Sequence, residues 1–293
     1  MRILIAGGTG FTGSYISERF LQKGYQVSFV SRNEGHIGWN ESELTTALNT
    51  TDVLINLSGK NINCRQTHNN KQAILQSRIS TTTMLGTAIS KCKTPPTLWI
   101  NASASAIYES SNDVISTETN YREGTNFLAN VVRQWENAFF GFKLASTRQV
   151  ALRTSVVLGT TGGAFPPLNL LARIGLGGKS GNGKQQFSWI HIDDFYRIIE
   201  FIIDNSLVNG VVNATSPSPL PNADFMRKLR EINGCRIGIP TPAFALKLAE
   251  KIVDLNASLV LEPVNIYPEI LLNSDFKFHY PDIETAIKNL TNK

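Results

Sequence analysis

Four glycines, Gly7, Gly8, Gly10 and Gly13, crowd a seven-residue stretch directly after the apolar run Ile3-Leu4-Ile5. An amphipathic segment, Ser14 to Lys23, begins at once behind them. The order is strand, tight turn, helix, and glycine serves it for a physical reason. A residue without a Cβ accepts the turn, lets a ligand approach the backbone and lets the helix pack near the strand. Gly8, Gly10 and Gly13 satisfy the G-x-G-x-x-G spacing of dinucleotide sites, while Gly7, Gly10 and Gly13 satisfy G-x-x-G-x-x-G. In either alignment the backbone N–H groups of Phe11, Thr12 and Gly13 open the helix and face a pyrophosphate. An ordinary glycine turn is the competing reading, and this many glycines at the first strand of an alternating chain argue against it.

The next strand, Gln26 to Ser31, runs into Arg32. About twenty residues past the glycines, an NAD site places an Asp or Glu on the ribose 2′-hydroxyl. A guanidinium stands there instead, and it suits a 2′-phosphate that a carboxylate would repel. The expected cofactor is therefore NADP rather than NAD, against the alternative of a solvated loop arginine. A further strand, Asp52 to Leu57, ends in Ser58-Gly59. The small residues after it let the backbone of Leu57, Ser58 and Gly59 lie against the adenosine half of the dinucleotide.

These residues need elements to hold them, and the rest of the chain supplies an alternation. Helical spacing runs through Glu41 to Leu48, Lys71 to Cys92, Thr125 to Phe142 and a segment from near Ile192 to Ile203. Strands are read at Leu98 to Asn101, Gln149 to Leu158 and Val211 to Ala214. Such alternation implies an α/β Rossmann-type fold, a doubly wound parallel sheet that takes ligands at the carboxyl ends of its strands. Gly159 to Lys184 is rich in glycine and proline, and Ser216 to Pro221 carries three prolines, so both are read as loops over the cofactor. Helix-like pieces at Asn222 to Asn233, Pro242 to Leu255, Pro268 to Leu272 and Asp282 to Leu290 are assigned to a smaller C-terminal lobe, in sum an α/β lobe with the preceding loops. The expected division is a cofactor-binding domain of 1–158 and 186–214, with 159–185 and 215–293 forming substrate-binding loops and the lobe.

Composition limits the partners. The chain has 293 residues, 42% of them hydrophobic, enough for a sizeable core. Its net charge of +5 comes from scattered basic residues rather than a block, so no nucleic-acid tract is expected and a small phosphate-bearing molecule remains the fitting anion. No run reaches the length of a membrane span, and no membrane partner is expected. Three cysteines, Cys64, Cys92 and Cys235, stand far apart, which argues against a disulfide framework and fits a reducing cytoplasm. His36, His68, His191 and His279 share no metal-ligand spacing, so no metal site is expected. The chain is read as soluble and cytoplasmic, a monomer or homodimer.

Several ordered stretches together resemble one family. They are Gly7 to Gly13, Asn101-Ala-Ser-Ala followed by Tyr108, Phe127-Leu-Ala, Arg133-Gln-Trp-Glu136, Leu152-Arg-Thr to Leu158-Gly159, Gly175-Leu-Gly-Gly178 and Ser188-Trp-Ile-His-Ile-Asp-Asp194. The chain thereby resembles the extended short-chain dehydrogenase/reductase superfamily, and more closely the atypical NAD-dependent epimerase/dehydratase branch of YfcH-type proteins. The tail, Glu262 to Leu290, is similar to that branch's C-terminal module.

The resemblance implies hydride transfer on an unidentified small hydroxyl or carbonyl compound, with a serine, a tyrosine and a lysine handling its oxygen. Ser103 matches the serine, and Ala102 beside it joins the cofactor-lining set. The Tyr-x-x-x-Lys pair does not follow: Phe127 and Leu128, then Val131 and Val132, occupy the corresponding helix positions, and none transfers a proton. Tyr121 is followed four residues later by Thr125, so it does not supply the pair. The remaining acid is Tyr108, with a loop aromatic packed under a lid as its alternative. Arg153 is counted with the cofactor-binding residues, as an anchor of its strand end or a contact for a substrate anion. His191 is read as structural, with Asp193 or Asp194 capping the helix that follows it. Lys184, Gln185 and Gln186 are placed at the substrate pocket by their loop position. A non-catalytic NADP-binding regulator is the competing function, supported by the missing pair.

Overall fold

The computed structural model describes residues 1–252 and 256–293. Five strands, β1 (Arg2–Ala6), β2 (Gln26–Val30), β3 (Val53–Asn56), β4 (Leu98–Ala104) and β5 (Arg148–Thr154), enter the central sheet first. Between them run α1 (Phe11–Gln22), α2 (Glu41–Leu48), α3 (His68–Lys91) and α4 (Phe127–Phe140). Then follow β6 (Val156–Leu158), α5 (Phe165–Arg173), β7 (Gln186–Phe187), β8 (Trp189–His191), α6 (Ile192–Asp204) and β9 (Gly210–Ala214). The tail supplies β10 (Leu220–Pro221), α7 (Asn222–Ile232), α8 (Ala243–Ile252), α9 (Ser258–Leu261), α10 (Glu269–Asn273) and α11 (Ile283–Thr291).

The central sheet has six strands in the order β2-β1-β3-β4-β5-β9, every neighbouring pair parallel. Parallel strands are covered on both faces, so each reads as a continuous apolar run. Alternate residues nevertheless serve opposite layers. Ile3, Ile5, Ile55, Ile100 and Leu152 pack with Ile16 and Phe20 of α1 and Ile198 and Ile202 of α6. Leu4, Ala6, Leu54, Trp99 and Ala151 pack with α2, α3 and α4 through Leu44, Leu85, Ile89 and Phe139. The doubly wound α/β fold expected from the alternation is the fold observed.

Local chemistry sets the helix starts. Asn40, Thr67, Asn126 and Asp282 each accept a backbone N–H from the first turn of the helix they precede. Helix α1 differs: its N-cap is Gly10 and no side chain caps it.

Two expectations are corrected. The glycine- and proline-rich stretch after Gly159 contains helix α5, with Phe165 and Ala172 buried. Pro166 and Pro167 sit in the helix's first turn, where the missing N–H costs no intrahelical bond. The strand expected over Gln149 to Leu158 divides at Ser155, because β6 leaves the sheet to pair with β8. The helix expected over 242–255 is observed as α8 to Ile252, and 253–255 lie outside the described residues.

A separate apolar cluster joins α5, α7 and α11 through Phe165, Phe225, Leu229, Ile283 and Ile287. Leu271 and Phe276 of the same tail insert into the main core instead.

Candidate dinucleotide and substrate site

The glycine turn lies where the sheet order reverses, between β1, which pairs with β2 on one side, and β3 on the other. Open α/β sheets bind ligands in the crevice at such a reversal. Gly7 has φ +81°, and a Cβ on it would stand 2.9 Å from the Leu57 carbonyl and 3.0 Å from the Ser58 nitrogen. A Cβ on Gly13 would stand 2.3 Å from the Gly7 carbonyl oxygen, so α1 packs this close to β1 only because Gly13 is bare. Gly8 is closed off by the Phe29 ring, 2.2 Å from its would-be Cβ. Gly10 differs, since its Cβ would meet only the Gly7 oxygen at 3.4 Å. Its bareness is therefore not required by packing. The first intrahelical bond runs from the Ser14 nitrogen to the Gly10 oxygen at 2.8 Å. The N–H groups of Phe11, Thr12 and Gly13 thus begin α1 with neither a preceding turn nor a side-chain cap to bond, the arrangement that accepts an anion.

The Phe11 ring has another task. It fills the hollow left by Gly159, Gly162 and Gly163, whose would-be Cβ atoms lie 2.7, 2.8 and 2.9 Å from it. It thereby draws the loop before α5 over the site.

Arg32 is exposed just beyond β2 and has no hydrogen bond or ion pair with a described residue. The turn around it is shaped by Ser31, whose hydroxyl contacts His36 Nδ1 at 2.7 Å and accepts from the Asn33 nitrogen at 2.9 Å. At the end of β3, the Ser58 nitrogen donates to Asn56 Oδ1 at 3.1 Å, while the buried Ser58 hydroxyl has no partner. Gly59 lies against the guanidinium of Arg78, 3.1 Å from its would-be Cβ.

Arg78 is a residue that sequence reasoning missed. Its Nη1 donates to the carbonyls of Lys60 and Ile74 at 3.1 and 3.0 Å, and the guanidinium stacks on Trp135 at 5.1 Å. Among the described residues no carboxylate offsets its charge, and burial pushes its pKa down to about 10, still high enough to stay cationic at neutral pH. A usable signal was present: Arg78 is the single charged residue between Lys71 and Lys91.

A second cluster occupies the carboxyl ends of β4, β5 and β9, where register aligns Ser103 with Arg153 and Arg153 with Asn213. Arg153 grips Glu136 of α4 with two bonds, Nε to Oε1 at 2.9 Å and Nη2 to Oε2 at 2.8 Å. Ser103 donates its hydroxyl proton to the same Oε1 at 2.6 Å. The Tyr108 hydroxyl donates to Asn213 Oδ1 at 2.6 Å and accepts from Arg153 Nη1 at 3.1 Å. Tyr121 adds its ring at 4.7 Å and its hydroxyl at 3.2 Å to the Arg153 guanidinium. Burial pushes the Tyr108 phenol up to about 12, partly countered by the charge of Arg153. The structure thus gathers Ser103, Tyr108 and Arg153 around Glu136, and leaves Gly7 to Gly13, Arg32 and Ser58 around the β1/β3 crevice. Glu136, which the sequence placed in a family-like stretch but gave no role, is the hub of the first group.

The helix positions that lack the Tyr/Lys pair are apolar as expected: Val131 and Val132 are buried, and the Phe127 ring carries the Lys71 ammonium at 5.2 Å. A cleft of about 550 Å³ opens beside them, between the starts of α3 and α4, the loop 181–185, and α8 and α9. Lys71, Phe127, Asn182, Gln185, Asn256 and Glu262 are among its walls. Gln185 is tied to the carbonyls of Ser180 and Val260, both at 3.0 Å, while Lys184 and Gln186 do not line this cleft.

His191 is buried and structural, though by a different bond from the one expected. Its own Nδ1 caps α6 by accepting the Asp193 N–H at 3.1 Å, and burial pushes its pKa down. Asp194 instead accepts the backbone N–H groups of His279 and Tyr280, each at 2.8 Å. Among the described residues no group of three or more His, Cys, Asp or Glu side chains could hold a metal ion.

A six-stranded parallel sheet with a bare glycine turn at its reversal and an uncapped helix behind it defines a Rossmann-type dinucleotide-binding protein. The chain belongs to the NAD dependent epimerase/dehydratase family, whose pattern its residues 3–214 match, and residues 241–290 match a domain of unknown function, DUF1731. It is 34% identical to the human epimerase family protein SDR39U1 over 295 residues, 99% of each chain. It is 31% identical to the epimerase family protein YfhF of Bacillus subtilis, covering 99% of this chain and 98% of that one. The crystal structure of human SDR39U1 (isoform 2) with NADPH superposes with a TM-score of 0.91 at 33% identity, covering 100% of both chains. A nucleoside-diphosphate sugar epimerase from Corynebacterium glutamicum gives a TM-score of 0.79 at 30% identity, over 99% of this chain and 58% of that one.

Proposed function

We propose that this protein binds NADP and acts as an oxidoreductase or epimerase on a small hydroxyl or carbonyl compound. The observation that carries the reading is the pairing of an uncapped helix start behind the glycine turn with an arginine at the next strand end that has no partner among the described residues. The N–H groups of Phe11, Thr12 and Gly13 hold the pyrophosphate, and Arg32 takes the 2′-phosphate. Leu57, Ser58 and Gly59 border the adenosine half. Arg78, cationic and without a carboxylate partner among the described residues, offers a further anion contact beside Gly59. Ala102 and Arg153 complete the cofactor-side wall at the strand ends. Residues 1–158 and 186–214 form the cofactor domain in this reading, and 159–185 with 215–293 bring the substrate. Three separate free cysteines agree with a reducing cytoplasm.

The bound cofactor supplies or accepts the hydride. The chain's own part is the proton. Because the Ser103 hydroxyl already donates to Glu136, its oxygen presents lone pairs to a substrate hydroxyl. When that hydroxyl becomes a carbonyl, its proton moves to Ser103 Oγ while the serine's own proton moves to Glu136 Oε1; reduction runs the relay backwards. Tyr108 works in its protonated form, fixing Arg153 and through it Glu136. The small substrate approaches through the cleft walled by Lys71, Phe127 and Asn182 at the start of α4, and its reacting oxygen reaches past that cleft to Ser103 Oγ.

A specific observation favours the second reading, a non-catalytic NADP-binding regulator: the Tyr108 hydroxyl is fully engaged with Asn213 and Arg153. One experiment separates the two. NADPH oxidation across a panel of small carbonyl compounds, lost in Ser103→Ala, supports the enzyme; tight NADPH binding with no turnover on any of them supports the regulator. NADH binding as tightly as NADPH would overturn the cofactor assignment in both.

A further inference from the structure

The edge of the C-terminal lobe displays apolar side chains that nothing in the fold covers. The segments 174–181 and 237–241 run side by side, laced by bonds from the Ile239 nitrogen to the Gly175 oxygen at 2.9 Å and from the Thr241 nitrogen to the Lys179 oxygen at 3.0 Å. The end of α5 leads into the first segment and α8 leads away from the second. Ile174, Leu176, Ile237, Ile239, Phe244 and Leu248 stand out from this edge with exposures of 58%, 45%, 69%, 55%, 73% and 55%. Phe244 and Leu248 are four residues apart, hence on one face of α8. Ala243, Lys247 and Glu250 of α8 line the cleft instead.

The charges around this edge are lopsided. Across 170–181 and 234–250 the charged residues are Arg173, Lys179, Arg236, Lys247 and one acid, Glu250. The four cations are exposed, and none makes an ion pair or side-chain hydrogen bond with a described residue. By contrast, the neighbouring Arg227 of α7 is paired with both Asp224 and Glu231.

From this combination we propose that the α5–α8 edge is a peripheral docking surface for an anionic lipid bilayer. Apolar tips that project from the surface insert below the headgroups, and a rim of free lysine and arginine meets the negative charge above them. A second copy of the chain is the less fitting occupant, because a two-fold contact through this edge would bring Arg173, Lys179 and Arg236 against the same three cations of the other copy. The contact is superficial: among the described residues no helix is long and apolar enough to cross a membrane. The proposal departs from the expectation of no membrane partner, which rested on the lack of a run long enough to span a membrane, because the apolar residues of this edge are apart in sequence and meet only on the folded surface.

The test uses the full chain and sedimentation with vesicles of phosphatidylcholine alone or mixed with phosphatidylglycerol, at low and high salt. Binding to the mixed vesicles, at least tenfold weaker to neutral ones and weakened by salt, is the expected result. Phe244→Asp with Ile237→Asp should abolish it, and Arg173→Glu with Arg236→Glu should lower it at least tenfold, while the melting temperature of each double variant stays near that of the parent. Absence of binding to anionic vesicles, or equal binding to both kinds, overturns the proposal. So does sedimentation velocity showing a dimer that Phe244→Asp dissociates, since the edge would then belong to a second copy.

Discussion

Arg32 and Arg78 are both cations without a carboxylate partner among the described residues, yet they sit in different surroundings and should respond differently to substitution. Arg32 is exposed, so Arg32→Glu leaves folding untouched and places a negative charge where the 2′-phosphate is read to bind. NADPH affinity should fall at least tenfold, roughly 1.4 kcal/mol or more, with NADH affinity little changed, as measured by calorimetric titration. Tyr108 offers a test of the buried cluster through pH. Its phenol is pushed up to about 12 by burial, so the folded state keeps a proton that the unfolded chain loses near pH 10. Where the unfolded state binds fewer protons, stability falls as pH rises. The stabilisation is whole below pH 10 and drains away between about pH 10 and 12, by roughly 1.4 kcal/mol per unit. Denaturant midpoints measured across that window should decline more steeply for the parent than for Tyr108→Phe. Equal slopes would show that the phenol titrates normally and is not held as described.

Among the elements, the glycine turn separates what the fold requires from what a ligand requires. Gly13→Ala drives a methyl into the Gly7 carbonyl oxygen, 2.3 Å from the would-be Cβ, and must push α1 from β1. Gly10→Ala has room at 3.4 Å and already extended backbone, φ −79° and ψ 172°. The first should lower stability by about 1–3 kcal/mol; the second should melt near the parent temperature and bind NADPH at least tenfold more weakly. Thermal melts with and without NADPH read both effects. This distinction marks how far the sequence was legible. The glycines, the apolar runs and the turn at Leu57-Ser58-Gly59 announced the sheet and its crevice, because strand periodicity and bare turns are local properties. The Ser103–Glu136–Arg153–Tyr108 cluster was only half visible. Asn213 of β9 comes beside Arg153 through parallel register, and Glu136 comes from helix α4 through its bonds to Arg153, so neither is announced by spacing in the sequence. Helix α5 was hidden for another reason: Pro166 and Pro167 read as loop formers, although the first turn of a helix accepts them.

At the scale of the whole molecule, the C-terminal segment works for two cores at once. Ile283 and Ile287 of α11 pack with α5 and α7, whereas Leu271 and Phe276 pack under α6 against the central sheet. Between these anchors the chain passes His279 and Tyr280, where Asp194 accepts both backbone N–H groups at 2.8 Å and also pairs with Arg197 at 3.1 Å. Asp194 is fully buried, so these donors replace the hydrogen bonds to water that its carboxylate gives up on folding. Removing the carboxylate leaves two backbone donors and a guanidinium without their acceptor at the seam joining sheet and lobe. Asp194→Ala should therefore cost about 3–5 kcal/mol. The loss should also be uneven. Leu271 and Phe276 retain their own apolar contacts, as do Ile283 and Ile287, so the junction between them opens before either anchor. Amide hydrogen exchange should rise first at 277–282 in the variant, ahead of the central strands. Uniform acceleration across β1, β4 and α11 would mean instead that Asp194 holds up one cooperative unit and that the seam has no separate opening.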